Sequence, residues 1–123
     1  MKKFLIALTA ALTVVAFNAV AHGDAKPLHG GIVQVASDLQ FELVPQPNGA
    51  TLYVVDHDKP ADTSKMSGKL TVLNGTEKSE VALRPSGANK LEAADVKIAV
   101  GSKVVASVTG ANGKATTVRF SVK

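Results

Sequence analysis

The sequence predicts an all-β protein built from a single antiparallel domain, and two observations lead to this fold class. Short runs rich in valine, leucine, isoleucine and threonine recur at intervals of about ten residues, separated by clusters of glycine, proline, asparagine and aspartate. No long segment after residue 21 shows the 3.6-residue periodicity of an amphipathic helix. The chain therefore predicts many short strands joined by tight turns.

Eight segments carry the strand pattern. The clearest is 39–44, where apolar and polar residues alternate, so that Leu39, Phe41 and Leu43 are expected to point inward. Asn48-Gly49 and Asn74-Gly75 are hairpin signals, and residues 93–100 are expected to form a loop and a short strand. About seven or eight strands of this kind predict an immunoglobulin-like β-sandwich, with a small barrel as the open alternative. The predicted strands are 32–35, 39–44, 51–55, 69–73, 79–83, 90–93, 103–108 and 116–122.

The first 21 residues have the three-part pattern of a secretory signal peptide. Lys2 and Lys3 precede an apolar run that ends near Val15, and Ala19 and Ala21 are the small residues expected before a cleavage site. A membrane anchor is the alternative, but a span needs about 20 apolar residues and this run is shorter. We therefore expect cleavage after Ala21, a periplasmic protein with no remaining membrane segment, an extended arm over 22–30 and a β-sandwich over 31–123.

Composition narrows the class of function. The chain has no cysteine, which excludes disulfides and thiolate metal sites. Removing Lys2 and Lys3 from the 14 basic residues leaves 12 against 10 acidic ones, a surplus too small to predict nucleic-acid binding. No serine lies in a recognisable nucleophile motif with histidine and acid, and the carboxylates are expected on solvated strand faces. We therefore do not expect an enzyme.

A metal site is predicted at the start of the expected mature chain. Cleavage after Ala21 would give His22 a free amine beside its imidazole, a pair that chelates a divalent transition metal. His29 would add a third nitrogen and Asp24 an oxygen, since the intervening arm spans at most about 25 Å and can fold back. Nitrogen ligands in this arrangement favour Cu(II), with zinc as the alternative.

His57 is a weaker metal candidate. It lies between Asp56 and Asp58, a combination of imidazole and carboxylates that suits zinc, copper or nickel. The same residues are also ordinary turn chemistry before Lys59-Pro60. His57 is thus predicted as an optional ligand.

A resemblance to known proteins follows from these motifs. The segments Leu28-His29-Gly30-Gly31, Phe41-Glu42-Leu43 and Asp58-Lys59-Pro60 resemble the amino-terminal β module of periplasmic adaptor subunits of heavy-metal efflux pumps. The layout is also similar to that of CopC-like periplasmic copper carriers. The chain has no coiled-coil hairpin or lipoyl-like half, so the resemblance implies a β module associated with metal handling and not an adaptor.

The sequence as a whole therefore predicts a non-enzymatic periplasmic protein that binds or delivers a transition metal, with copper preferred. A metal-efflux or envelope protein is the partner that the resemblance implies. A metal-free interaction or structural module of the bacterial envelope is the alternative.

Overall fold

The computed structural model describes residues 26–123, and the whole of this range is organised by antiparallel strands without a helix. The predicted signal peptide, its cleavage after Ala21, and the candidate ligands His22 and Asp24 lie outside the described residues. The strands are β1 (Ile32–Ala36), β2 (Leu39–Gln46), β3 (Gly49–Asp56), β4 (Lys59–Pro60), β5 (Ser67–Asn74), β6 (Glu77–Pro85), β7 (Lys90–Ala94), β8 (Lys103–Thr109) and β9 (Ala115–Ser121).

The strands form two layers joined by one strand. The order across the sheet is β1-β2-β3-β7-β6-β5-β8-β9, and the short β4 pairs with the end of β3. Most of β6 pairs with β5, but its last two residues, Arg84 and Pro85, pair with β7, so this strand passes from one layer to the other. The outermost strands β1 and β9 lie side by side, which makes the sandwich nearly a closed barrel. The predicted all-β antiparallel fold is confirmed.

The core lies between the layers and is aliphatic apart from two phenylalanines. Alternate residues of each strand point into it, as a pleated strand with one solvated face requires. Phe41 and Phe120, one from each layer, are its largest side chains and are almost fully buried. The remaining fully buried core side chains are Leu43, Leu52, Val54, Leu70, Leu83, Leu91, Val104 and Ala106.

All eight predicted strands are present, but the predicted Asn48-Gly49 hairpin loop is shifted by one residue and one further predicted strand is absent. Pro47 and Asn48 form the β2–β3 turn, and Gly49 is already paired in β3. A Cβ at Gly49 would lie 2.3 Å from the Ala93 carbonyl oxygen, so the glycine serves close packing against β7 rather than the turn. Residues 95–102 contain no strand, and the short strand expected within 93–100 is absent there.

Two hairpin loops of two residues each lie at the same end of the layer that contains β1, β2 and β3. Ser37-Asp38 joins β1 to β2, and His57-Asp58 joins β3 to β4; all four residues have φ between 52° and 68°. Positive φ at both central residues is the geometry of a type I′ turn, which matches the right-handed twist of the strands. Histidine and aspartate tolerate this conformation better than most residues.

Residues 26–31, which include the described part of the arm predicted over 22–30, contain no strand and lie over the solvent-facing side of β2 and β3. The strand β1 begins directly after them, at Ile32. Within residues 26–123 no helix is long and apolar enough to cross a membrane.

Candidate functional site

A buried carboxylate organises the end of the arm. Phe41 and Leu43 point into the core, so Glu42 between them points to the outer face of β2, where a glutamate would ordinarily be solvated. Glu42 is nevertheless only 6% exposed, because residues 28–31 of the arm cover it. The carboxylate is the fixed point around which the arm folds.

Four N–H groups of the arm can donate to this carboxylate. The backbone N–H of Leu28 donates to Oε1 at 3.1 Å, and those of His29 and Gly31 donate to Oε2 at 2.9 Å and 2.8 Å. The fourth contact is between His29 Nδ1 and Oε1, at 2.9 Å. Charge-assisted hydrogen bonds of this kind are about twice as strong as neutral ones. The arm thus forms a pocket of N–H groups, which we call the arm clasp (residues 28–31 and Glu42).

The pKa of Glu42 reflects two opposing effects. Burial is the largest single one and raises the pKa, because it disfavours the charged form. The hydrogen bonds from the His29 side chain and from the backbone of Gly31, His29 and Leu28 together outweigh it. They hold the pKa of Glu42 below its ordinary value of 4.5. Glu42 is therefore ionised at neutral pH.

The ionised carboxylate determines the tautomer of His29. A carboxylate can only accept, so Nδ1 must carry the proton of the 2.9 Å contact. The Nε2 atom of the neutral ring is then left with a lone pair. The same arrangement, in which a carboxylate holds one ring nitrogen and the other binds the ion, orients the histidine ligands of many metal sites.

Tyr53 fixes the plane of the His29 ring. It is the residue of β3 opposite Glu42, so both side chains leave the same face of the sheet. The rings of His29 and Tyr53 are stacked, with centroids 3.6 Å apart and planes within 1° of parallel. The His29 side chain keeps 39% of its surface exposed. Two contacts thus hold the ring while part of it faces solvent.

The double glycine allows the arm to approach β2 this closely. A Cβ on Gly31 would lie 2.3 Å from the carbonyl oxygen of Leu43 and 2.8 Å from a methyl of Val44, distances that no side chain can occupy. Gly30 has φ of 75°, in the region that favours glycine. The Gly30-Gly31 pair is therefore a requirement of the clasp.

The other histidine of the described chain is elsewhere. His57 lies in the β3–β4 hairpin loop with its Nδ1 against the carboxylate of Asp56, and its side chain is 79% exposed. Tyr53 precedes it by four residues, which is about 13 Å along a strand. Within residues 26–123 no three histidine or carboxylate side chains are grouped so that they could hold a metal ion. The structure therefore does not bring His29 and His57 together.

Sequence reasoning missed Glu42 and Tyr53. It placed most carboxylates on solvated strand faces, and Glu42 is an exception because the arm folds back over it. The alternation in 39–44 indicated that Glu42 points away from the core. Its position opposite Tyr53 depends on the register between β2 and β3, which the alternation does not specify.

No known protein family matches the chain, and comparisons with characterised proteins and with solved structures give no significant match.

The arm clasp makes the stability of the folded protein depend on pH in the acidic range. Because the folded-state pKa of Glu42 is lower than its unfolded value, its ionisation stabilises the folded protein above pH about 4.5, and this contribution is lost as the pH falls through the folded pKa. We expect the free energy of unfolding, measured with urea, to fall more steeply below pH about 4.5 in the wild type than in a Glu42→Gln variant. Parallel curves for the two proteins would show that Glu42 is not held as described.

Proposed function

We propose that this protein is a non-enzymatic periplasmic binding protein for a divalent transition metal, with Cu(II) the preferred ion and Zn(II) the alternative. One observation carries the proposal: the Glu42 carboxylate holds Nδ1 of His29, so Nε2 is the ring nitrogen left to bind. Imidazole nitrogen suits copper and zinc, and a preoriented ring loses less freedom when it binds. His29 would be the fixed ligand of the site.

The remaining ligands would come from the residues that precede the clasp. Cleavage after Ala21 would give the chain an amino-terminal His22, whose amine and Nδ1 form one chelate ring. The chain from His22 to His29 reaches at most about 25 Å, so it can turn back and bring both nitrogens to His29 Nε2. Three nitrogens in one plane favour Cu(II), and Asp24 would supply an optional oxygen. His57 lies outside this proposed site, because it is held in a hairpin loop away from Tyr53.

The position of the amino terminus after signal cleavage tests the proposal directly. We expect the intact mass of the exported protein to correspond to a chain that begins at His22, and isothermal titration to give one Cu(II) per chain. A variant with one alanine inserted before His22 would move the amine away from the imidazole. We expect its Cu(II) affinity to fall by about tenfold or more, since a chelating nitrogen is lost. A mature chain that begins elsewhere, or equal affinities, would contradict the His22 part of the site.

Acid should release the ion. Imidazole and amine bind metals only when they are deprotonated, so Cu(II) affinity is expected to decrease as the pH falls below neutral. A carrier with this property would pass its ion to an acceptor such as a metal-efflux or envelope protein, the partner implied by the resemblance of residues 27–60 to efflux adaptors.

The second candidate function is a metal-free interaction module of the envelope. The observation that favours it is the pair of strands β1 and β9, which lie side by side without forming a ladder. Titration distinguishes the two functions, because a metal-free module would bind neither Cu(II) nor Zn(II) at the clasp.

A further inference from the structure

One gap in the antiparallel order of strands lies between β1 and β9. Within residues 26–123, β1 pairs only with β2 and β9 pairs only with β8, although β1 and β9 lie next to each other. No backbone hydrogen bond joins them. We call the region between these two strands the seam (Ile32–Ala36 and Ala115–Ser121).

The register identifies the backbone groups that face the seam. Val122 N–H donates to the Ser102 carbonyl at 2.9 Å, so even-numbered residues of β9 bond to β8 and odd-numbered ones turn their N–H and C=O outward. In β1 the tight β1–β2 hairpin places Ala36 in a bonded pair, so Val33 and Val35 face the seam. The outward-facing residues of β9 are Ala115, Thr117, Arg119 and Ser121. Such an edge is a template for another strand.

The seam is open at both ends. Near the end of β9 it widens into a cleft of about 910 Å³, bounded by Ile32 and Gln34 on one side and by Phe120 and Ser121 on the other. At the hairpin end a second cleft of about 570 Å³ lies between Ser37 and Thr116. At the end of β9 the larger cleft thus coincides with the outward-facing backbone groups of Arg119 and Ser121.

The larger cleft is basic. Lys103, Arg119 and Lys123 line it, and no aspartate or glutamate side chain does. The Lys103 ammonium donates a hydrogen bond to the Ser121 hydroxyl at 3.3 Å, which is a neutral partner. Ile32, which is half-buried, provides an apolar wall on the β1 side that every second side chain of an extended segment would contact.

We propose that the seam binds an extended acidic segment of a partner protein by strand addition to the free edge of β9. Main-chain hydrogen bonds to Thr117, Arg119 and Ser121 would supply affinity, and alternate acidic side chains would pair with Lys103 and Arg119. A second copy of this chain fits less well, because two β9 edges would bring Arg119 and its neighbouring cations together. Charged residues on an edge oppose such self-association. The proposal does not depend on the metal site.

The test uses a capped eight-residue peptide of alternating glutamate and valine, added to the full-length exported protein without metal. We expect saturable binding below about 1 mM, with ¹H–¹⁵N shift changes and slower amide exchange at Thr117, Arg119 and Ser121. The same peptide with every second nitrogen methylated keeps the charges but cannot form the ladder, so it should bind about tenfold or more weakly.

A charge-reversal variant separates recognition from folding. Arg119 is exposed, so Arg119→Glu should leave the urea-unfolding curve nearly unchanged while it weakens the acidic peptide about tenfold and improves binding of a lysine–valine peptide. Three results would overturn the proposal: no binding of the acidic peptide, equal binding of its methylated form, or a dimer of the free protein in sedimentation whose interface protects β9.

Discussion

Replacement of His29 by alanine is expected to lower the Cu(II) affinity of the chain that begins at His22 by at least about 100-fold. The removal of a residue that only orients a metal-bound histidine already costs about 10–100-fold, and His29 is proposed as the ligand itself. The ring is held by Glu42 at 2.9 Å and by the stack on Tyr53, so no other side chain of the clasp can take its position. Isothermal titration, or competition with a chelator of known affinity, measures the change.

Two further variants make this result specific. His57→Ala removes the other imidazole of residues 26–123, which lies in an exposed hairpin loop, and should leave the affinity unchanged. Glu42→Gln keeps His29 but weakens the contact that orients it, so an intermediate loss of about 10-fold is expected. Equal losses for His29→Ala and His57→Ala would mean that neither histidine is in a defined site. Unchanged affinity in His29→Ala would disprove the proposed site.

Replacement of Gly31 by alanine is expected to detach the arm and to destabilise the fold by about 1–3 kcal/mol, the usual cost of overpacking a site that cannot relax. The added Cβ would lie 2.3 Å from the Leu43 carbonyl oxygen, which belongs to the paired backbone of β2 and cannot move aside. The arm must move instead, and Glu42 then loses hydrogen bonds that the clasp supplies. The midpoint of urea unfolding should fall, with faster amide exchange at Leu28 and His29.

Gly110→Ala is the matched control for this change. A Cβ at Gly110 would lie 3.3 Å from the Asn112 side-chain oxygen and 3.8 Å from the Lys114 carbonyl oxygen, so a small shift of the Asn112 side chain accommodates it. Its effect on stability should be within about 0.5 kcal/mol. The Gly31→Ala variant should also bind Cu(II) about 10-fold more weakly, because His29 is no longer held. A stable Gly31→Ala protein with a protected arm would show that the clasp is not packed as described.

The sequence predicted the strands well because their signals are local. Alternation in residues 39–44 assigns Phe41 and Leu43 to the core and Glu42 to the outer face, and the structure agrees on all three directions. The Asn48-Gly49 prediction failed by one position, since Gly49 is constrained by the distance to Ala93 in β7. The residues around Gly49 carry no information about Ala93, which lies more than 40 positions further along the chain.

The sequence identified only part of the candidate site. His29 was identified as a metal-ligand candidate from its chemistry and its position in the arm. Its hydrogen bond to Glu42 joins residues 13 positions apart, and its stack on Tyr53 joins residues farther apart still. Both contacts require the β2–β3 register and the folded-back arm, which composition and periodicity do not specify.

The sequence by itself thus determined the fold class, the strands and the direction of most side chains, because apolar alternation and turn residues act over a few positions. The tertiary structure decided that Glu42 is buried, that His29 is held with Nε2 as its remaining nitrogen, and that β1 and β9 meet without pairing. These features arise where segments distant in the chain pack against each other. Their energies depend on distances and on exclusion of water, which appear only once the chain has folded.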